Sequence, residues 1–469
     1  MNSHSFQQLS SLRRTTYRIV TITVILVSAL ILCTAGFYNR YPLLYPDSFE
    51  YIDAGEHIWN ALRSGTPGYF GQRSPFYSLF VYLLYQHHSL WFVILGQSLI
   101  MSYLIWLSFK QILPTFDDLH FPLIIILLTL FTSVSWYTSF LMPDIFAAVL
   151  ILGIFNLGFD DSTISTFQYA ILAAIVILAI TVHTSHLMLI PMLLIGVIVI
   201  HLKIQTPLRI WRTVSIRLLT TIVTSIALML TSTYFLYGKF GLVGPHPPFL
   251  LARIISDGPG KIYLKEHCVR HDYAVCKYIN VLPKYFGPLL WGPKSIMKLA
   301  SKEDTQRIRE EELQVVLGAV RTYPWKQLKA SAKNFVKQCL MIGPNYFTRS
   351  IDSNAIDFFP IIGTKHFRSR QYLKTLPPRF LRILQCITVL VAIFICFFIV
   401  LRLGKLLPNK LFALTVLIVI GLLGNNLITG AISQPNGRFQ SRIIWLVPML
   451  SILFVFVWAY NKQKNQGDR

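Results

Sequence analysis

The sequence predicts an all-α, multi-pass membrane protein. Hydrophobic residues make up 54% of the 469 residues and charged residues only 13%, whereas a soluble domain carries about 25% charged residues. The mean hydropathy is +0.54. Several runs hold almost no charge over the ~20 residues that a helix needs to cross a bilayer. We therefore predict a bundle of about ten transmembrane helices, with juxtamembrane helices and a small domain outside the membrane.

The first apolar run covers residues 19–37 and follows Arg13, Arg14 and Arg18. The run is long enough to span, and no convincing small-residue cleavage site follows it, so we expect an uncleaved first span. The arginines place the N-terminus in the cytoplasm, and the loop 39–89 then lies outside. Within that loop, residues 75–85 are too short to span and predict an interfacial or re-entrant helix with Pro75 in its first turn.

Further apolar runs alternate across the membrane after this loop. They cover residues 90–109, 121–140 and 144–159, two runs ending at His183 and His201, a run ending near Tyr237, and three C-terminal runs after Arg382. Basic residues cluster between Lys203 and Arg217, between Arg402 and Lys410, and in the C-terminal tail. Basic short loops are typical of the cytoplasmic side, so both termini are expected there.

Residues 238–380 differ from the rest of the chain. They hold 23 Lys and Arg against 10 Asp and Glu, a net +13 of the +23 of the whole chain. By parity they lie outside, where Cys268 and Cys276 are expected to form a disulfide, and residues 301–323 have a helical pattern. The chain thus divides into an N-terminal membrane module 1–237, an external domain 238–380 and C-terminal helices 381–469.

Acidic residues concentrate directly after the first span, at Asp47, Glu50, Asp53 and Glu56. As a helix this stretch is amphipathic and would lie at the membrane interface. Carboxylates held there suit base catalysis or cation binding. The competing interpretation is structural, with Asp47 as the N-cap and Glu50 as its capping-box partner.

Other ionisable residues are predicted at the same membrane boundary. Arg73 precedes the short helix, Asp144 begins a span, and Arg438 and Arg442 begin the last one. Singly, Asp144 could be a helix-dipole charge and the arginines interface anchors. Together they suit an anionic lipid head and an acceptor to be deprotonated.

Two other classes of site find little support. His183 and His186 have no third ligand near in sequence, so hydrogen-bonding roles are expected and no metal site is predicted. A divalent cation stays an open alternative, and no other cofactor is expected. Despite the net charge of +23, no recognition motif for RNA or DNA occurs, and the charge is better explained by anionic headgroups or a phosphate-bearing substrate.

The order of short motifs resembles a known family. Pro46-Asp47-Ser48 with Tyr51 follows the first span, Arg73-x-Pro75 opens a short helix, and Met142-Pro143-Asp144 follows the third span. Arg438-Phe439 precedes a Pro-containing last span. This order is similar to that of GT-C membrane glycosyltransferases, especially the branch of the lipid A aminoarabinose transferases and protein O-mannosyltransferases.

The resemblance implies roles for these residues. Asp47 is expected as the base or the residue that orients the acceptor, and Asp144 as a second acid. Arg73 is expected to meet the lipid phosphate. Substrate-binding roles are expected for Glu50, Tyr51, Arg73, Arg438 and Arg442.

We therefore expect a glycosyltransferase of a bacterial inner membrane. It would move a sugar from a polyprenyl-phosphate donor to a lipid, glycan or protein acceptor at the outer face of that membrane. Membrane lipids are expected as further partners. Two alternatives are a lipid or polysaccharide transporter and a non-catalytic assembly factor on the same scaffold. A transporter usually carries ionisable residues at mid-membrane, which these spans lack.

Overall fold

The computed structural model describes residues 3–66, 71–160, 164–343, 347 and 359–467. Every named element in these ranges is a helix, and the only extended pairing there is an isolated parallel bridge between Leu43 and Phe140. The all-α, multi-pass prediction is confirmed.

The membrane region is built of apolar helices with short connections. Up to the external segment these helices are α1 (Ser3–Leu32), α2 (Thr34–Asn39), α3 (Pro46–Ser64), α4 (Pro75–Tyr85), α5 (Trp91–Ile112), α6 (Phe121–Phe131), α7 (Val134–Thr138), α8 (Phe146–Gly158), α9 (Thr166–Thr181), α10 (Thr184–Lys203) and α11 (Leu208–Tyr237). Their buried faces form one continuous apolar core with the C-terminal helices.

Seven helical stretches in the described ranges are long and apolar enough to cross a membrane. They are Thr15–Asn39, Trp91–Ile112, Thr184–Lys203, Leu208–Tyr237, Pro378–Leu403, Asn409–Ile432 and Gly437–Gln463. Three further predicted spans correspond to the apolar helices α6, α8 and α9. Seven of the ten predicted spans are thus full-length helices, and these three are shorter.

Contacts between the connections define the two ends of the bundle. At one end the Leu43–Phe140 bridge joins the exits of α2 and α7, and Ser74 Oγ donates to the carbonyl of Thr181 at 2.9 Å. We call this end the site face. At the opposite end His201 Nε2 lies 2.7 Å from the carbonyl oxygen of Gly158.

The predicted span 121–140 is not one helix, which corrects the sequence prediction. Helix α6 ends at Phe131, Thr132 is extended, and α7 begins only at Val134. Thr132 Oγ1 donates to the carbonyl of Leu128 at 2.6 Å and accepts from the backbone N–H of Val134 at 3.3 Å. A threonine that bonds the backbone in this way competes with the helical ladder, so the helix breaks where polar residues interrupt the apolar run.

Helices α3 and α4 pack against each other as a hairpin at the site face. The predicted short helix with Pro75 in its first turn is confirmed. The two helices approach closely at Gly55, where an added Cβ would lie 2.7 Å from the Cβ of Tyr82. A larger residue there would separate the helices and displace the acids of α3.

The segment predicted to lie outside the membrane, here called the external segment, has an apolar core of its own. Its helices are α12 (Phe249–Asp257), α13 (Pro259–His267), α14 (Phe286–Trp291), α15 (Ile296–Leu299), α16 (Lys302–Thr322) and α17 (Pro324–Leu340). Helix α16 confirms the predicted helix, with Ser301 Oγ as its N-terminal cap. Cys268 and Cys276 form the predicted disulfide.

The chain then returns to the membrane through the last helices. They are α18 (Pro360–His366), α19 (Pro378–Leu403), α20 (Asn409–Leu427), α21 (Gly437–Ile444) and α22 (Leu446–Gly467). A π-helical turn, Ile428–Ile432, continues α20 to the site face.

Candidate functional site

Asp47 is not the N-cap of α3, so the capping interpretation is wrong. The N-cap is Tyr45, Pro46 follows it, and Asp47 lies in the first turn. Ser48 Oγ accepts the backbone N–H of Tyr45 at 2.9 Å and donates to the carbonyl of Leu141 at 2.8 Å. The helix start is therefore satisfied without the Asp47 carboxylate, which is left for other partners.

Arg73 binds both acids at the start of α3. Its Nη2 lies 2.8 Å from Asp47 Oδ1, and its Nε donates to Glu50 Oε2. The side chains of Asp47 and Arg73 are both 23% exposed, so this pair lines the accessible part of the site. Burial acts to lower the pKa of Arg73, but the charges of Asp47, Tyr51 and Glu50 outweigh it, and the pKa is raised.

Asp144 forms a second, buried pair. It lies in the 3₁₀ turn Pro143–Ile145 that opens α8, with 1% of its side chain exposed. Arg438 Nε donates to Oδ1 and Arg438 Nη2 lies near Oδ2, both at 2.8 Å. Arg442 Nη1 lies 3.7 Å from Oδ1, and its Nη2 donates to Asn425 Oδ1 at 2.6 Å.

The two pairs meet through the first residues of α3. The guanidinium of Arg438 lies over the ring of Tyr45, 4.7 Å from its centroid, and Asp47 follows Tyr45 by two residues. Tyr51, one turn further on, is 4% exposed, and its burial raises its pKa. The charges of Arg73 and Asp47, and of Arg438 and Asp144, all act on the Tyr51 hydroxyl. The sequence-predicted residues therefore form one site.

Tyr51 is held by an aromatic and amide network. Its ring packs edge-to-face on Tyr77, with centroids 4.7 Å apart. The hydroxyl of Tyr77 donates to Gln97 Oε1 at 2.9 Å, and Gln97 Nε2 donates to the carbonyls of Thr138 and Phe140. This network ties α3, α4 and α5 to the Leu43–Phe140 bridge and so fixes the floor of the site.

The two histidines have the predicted hydrogen-bonding roles. His183 Nδ1 accepts the backbone N–H of Ser185 at the start of α10, and His186 Nδ1 donates to the carbonyl of Ala179. His186 Nε2 and two nitrogens of Arg442, Nε and Nη1, are buried without hydrogen-bond partners in the described structure.

The acids of the site do not form an open cation site. No group of three His, Cys, Asp or Glu among the described residues is arranged to hold a metal ion. Asp47 and Asp144 each already bind an arginine, and a cation would have to displace that arginine. In the described structure, arginine therefore occupies both of these carboxylates.

Sequence reasoning missed the residues that support the arginines. The ring of Tyr45 packs under Arg438. Asn425, which lies in an apolar helix, accepts a hydrogen bond from Arg442. Asn425 and Asn426 are the signal that was available, because polar residues inside a membrane helix usually have a function.

A cavity of about 280 Å³ lies at the opposite end of the bundle from these acids. It is lined by Phe159, Asp160, His201, Ile204, Thr206, Pro207, Ile210, Asn409 and Lys410. Since Asp144 precedes α8 and Asp160 follows it, the length of that helix separates the cavity from the candidate site.

The chain is similar to a solved structure at low sequence identity. No protein-family model and no curated protein matches the sequence. The crystal structure of ArnT from Cupriavidus metallidurans in the apo state is similar over 95% of this chain and 78% of that chain, with 13% sequence identity and a TM-score of 0.33.

Proposed function

We propose that the protein is a GT-C type membrane glycosyltransferase. It moves a sugar from a polyprenyl-phosphate donor to an acceptor hydroxyl at the site face, which is the outer face of a bacterial inner membrane. The observation that carries the proposal is the accessible Asp47–Arg73 pair beside the buried Asp144–Arg438 pair. A carboxylate at a membrane boundary can take the proton of an acceptor hydroxyl, and arginines beside it can bind a lipid-linked phosphate.

Asp47 is the base in this mechanism. The acceptor oxygen attacks the anomeric carbon of the donor sugar while Asp47 takes the hydroxyl proton. The bond between that carbon and the phosphate oxygen breaks, and polyprenyl phosphate leaves with the bonding electrons. Arg73 Nη2 lies 2.8 Å from Asp47 Oδ1 and orients this carboxylate beside the accessible part of the site.

Arg73 stabilises the leaving phosphate. Asp47 and Glu50 occupy its Nη2 and Nε, so Nη1 is the guanidinium nitrogen left to meet a phosphate oxygen. Negative charge develops on that oxygen as the glycosidic bond breaks. A preorganised cation aimed at developing charge is the kind of interaction that lowers the barrier most.

Asp144 and Arg438 position the catalytic residues. Asp144 is too buried to meet an acceptor, and two arginines lie against its carboxylate. Its partner Arg438 supports the ring of Tyr45, which caps α3 and so sets the position of Asp47. We therefore assign Asp144 to positioning and keep proton transfer for Asp47.

A transporter is the weaker alternative. The buried acids of the described bundle are Asp118, Asp144 and Asp160. Asp118 and Asp160 lie at the opposite end from Asp144, so none lies at mid-membrane, where transporters usually place ionisable residues.

The test is donor turnover by the purified protein. The protein in lipid nanodiscs is incubated with polyprenyl-phosphate-linked sugars and a bacterial membrane extract as the acceptor source. The proposal expects protein-dependent release of free polyprenyl phosphate together with sugar in the extract, both followed by mass spectrometry. Intact donor with every sugar offered would favour the non-catalytic assembly factor.

A further inference from the structure

Helix α17 lies beside the site at the level where a span leaves the membrane. It packs on the π-helical turn Ile428–Ile432 and on α20. The contact is close, because a Cβ at Gly430 would lie 2.9 Å from the carbonyl oxygen of Asn334. Near the C-terminus of α17, Asn426 Nδ2 lies 3.4 Å from Cys339 Sγ. The candidate span Asn409–Ile432 ends at this contact, so α17 lies at the membrane boundary.

One side of α17 is fixed by polar contacts with the protein. Gln327 and Asn334 both donate to the carboxylate of Asp257 at 2.9 Å. Gln338 is fully buried and bonds Asn436 twice, donating to its carbonyl and accepting its backbone N–H. This side determines how the helix is rotated, and the remaining surface faces outward.

The outward surface contains an apolar stripe with no partner in the described structure. Trp325 is 79% exposed, Leu328 57%, Val336 55% and Leu340 73%. At 100° per residue these four side chains fall within about one third of the helix circumference. Such a stripe at a membrane boundary is suited to contact with acyl chains.

A stripe of lysines runs directly beside the apolar one. Lys326, Lys329, Lys333 and Lys337 repeat every three or four residues and are all exposed. The 17 residues of α17 include no acid, so nothing on the helix itself neutralises this charge. The order around the helix is apolar stripe, lysine stripe and then the side fixed to the protein, and the two stripes overlap at their border, where Lys329 lies between Val336 and Leu340.

We infer that α17 is an interfacial helix whose lysine stripe gathers anionic phospholipid in the leaflet at the site face. The apolar stripe enters the acyl region, and the lysines reach the phosphates above it. A helix with a basic polar face and exposed Trp and Leu on the other face binds membranes in this way. Charge complementarity selects lipid over a protein partner, because the stripe offers cations without the acids that ordinary protein interfaces mix with them.

The position of α17 connects this lipid contact to the candidate site. Asn436, which Gln338 bonds, caps α21 by accepting the backbone N–H of Arg438 at 2.8 Å. Arg438 in turn holds Asp144. The inference of a lipid contact does not depend on the proposed glycosyl transfer, and its test uses no activity measurement.

The test compares quenching of Trp325 by two brominated lipids. The full chain is placed in phosphatidylcholine nanodiscs that contain the same small fraction of either brominated phosphatidylglycerol or brominated phosphatidylcholine. The signal of Trp325 is the difference between the wild type and Trp325→Phe. We expect both lipids to quench this signal, and phosphatidylglycerol to be enriched near Trp325 by about fivefold or more.

Two lysine variants identify the cause of the enrichment. Replacing Lys326, Lys329, Lys333 and Lys337 by Gln should abolish the preference for phosphatidylglycerol and keep the quenching by phosphatidylcholine. The control replaces four exposed lysines of the same external segment by Gln: Lys265, Lys284, Lys294 and Lys298. The control should retain the preference.

Three results would overturn the inference. Equal quenching by the two lipids in the wild type would mean that the stripe does not select anionic lipid. Quenching of Trp325 by acrylamide and by neither lipid would place α17 in water. Protection from acrylamide and from both lipids would mean that a second copy or another protein covers the stripe.

Discussion

Asp47 and Asp144 both bind arginine, but their surroundings give the two carboxylates different chemistry. Asp47 and its partner Arg73 are partly exposed, so a substrate can exchange for part of their hydration. Asp144 and Arg442 are each 1% exposed, and no substrate reaches that pair without displacing protein. At the scale of single residues the accessible pair is therefore catalytic in our account, and the buried pair is structural.

Replacing Arg73 by Lys should lower kcat/KM by about tenfold or more, although the charge is kept. Arg73 binds Asp47 and Glu50 through separate nitrogens, and a lysine ammonium lacks the planar fork needed to do so while binding a phosphate. One lost charge-assisted hydrogen bond of about 1.5 kcal/mol already gives that factor. The matched control is Arg63→Lys on the exposed end of α3. Equal kcat/KM in both variants would show that Arg73 is only an interface anchor.

Replacing Asp144 by Asn should destabilise the protein by about 3–5 kcal/mol, because Arg438 and Arg442 lose the buried charge that they face. Thermal unfolding of the detergent-purified protein measures this loss. Asp117→Asn, on an exposed side chain, should leave the unfolding temperature unchanged. The double variant Asp144→Asn/Arg438→Gln should recover part of the loss, since one unpaired cation is removed with the anion. A single variant as stable as the wild type would contradict the structural role.

At the scale of elements, the external segment contains an ion pair that makes its stability depend on pH. Hydrogen bonds from Lys277 and Tyr278 lower the pKa of Asp304, which lies in the first turn of α16. A carboxyl whose pKa is lower in the folded state stabilises the fold above its unfolded pKa, and this stabilisation is lost as the pH falls through the folded pKa.

Asp304→Asn should therefore lower the unfolding temperature at pH 7 and have a smaller effect as the pH is lowered below about 4. Thermal unfolding of the full chain across this range measures the difference. Glu310→Gln on the exposed side of α16 is the control and should show no such convergence. A constant difference between Asp304→Asn and wild type at all pH values would exclude the ion pair as the cause.

The disulfide between Cys268 and Cys276 staples the same segment. Closing so short a loop stabilises by about 2–3 kcal/mol in the chain-entropy model. Replacing both cysteines by Ser should lower the unfolding temperature of the external segment. Limited proteolysis during heating measures this temperature. Free thiols at both positions in non-reduced peptides of the wild type would contradict the bond.

At the scale of the whole molecule, the hydropathy pattern and the order of the predicted spans were enough to predict the fold class, helices α4 and α16, and the disulfide. They did so because each depends on local pattern. The break after Phe131 was missed because the apolar run outweighs Thr132 and Ser133 in any hydropathy window. The predicted N-cap role of Asp47 was wrong because Tyr45 is the N-cap, and the hydroxyl of Ser48, which also donates to the carbonyl of Leu141, accepts the backbone N–H of Tyr45.

The pairing of the site residues could not be predicted from local pattern. Asp144 and Arg438 are 294 positions apart, and only the packing of α21 on α8 brings them together. The predicted topology places both residues at the same membrane boundary, but it does not determine which side chains contact each other. Which arginine faces which acid depends on side-chain packing around Tyr45 and Asn425.

The central claim is that Asp47 is the catalytic base, and one pair of variants tests it most directly. Asp47→Asn removes the proton acceptor, and Asp53→Asn removes an acid of the same helix whose side chain is 63% exposed. Sugar transfer is measured in membranes with matched amounts of each folded variant. Loss of a general base lowers turnover by about 100- to 10,000-fold, whereas loss of a partly exposed ion pair costs about 1 kcal/mol of stability. We expect Asp47→Asn to lose transfer to that extent while it stays folded, and Asp53→Asn to keep wild-type turnover. Near-wild-type transfer by Asp47→Asn would contradict the account.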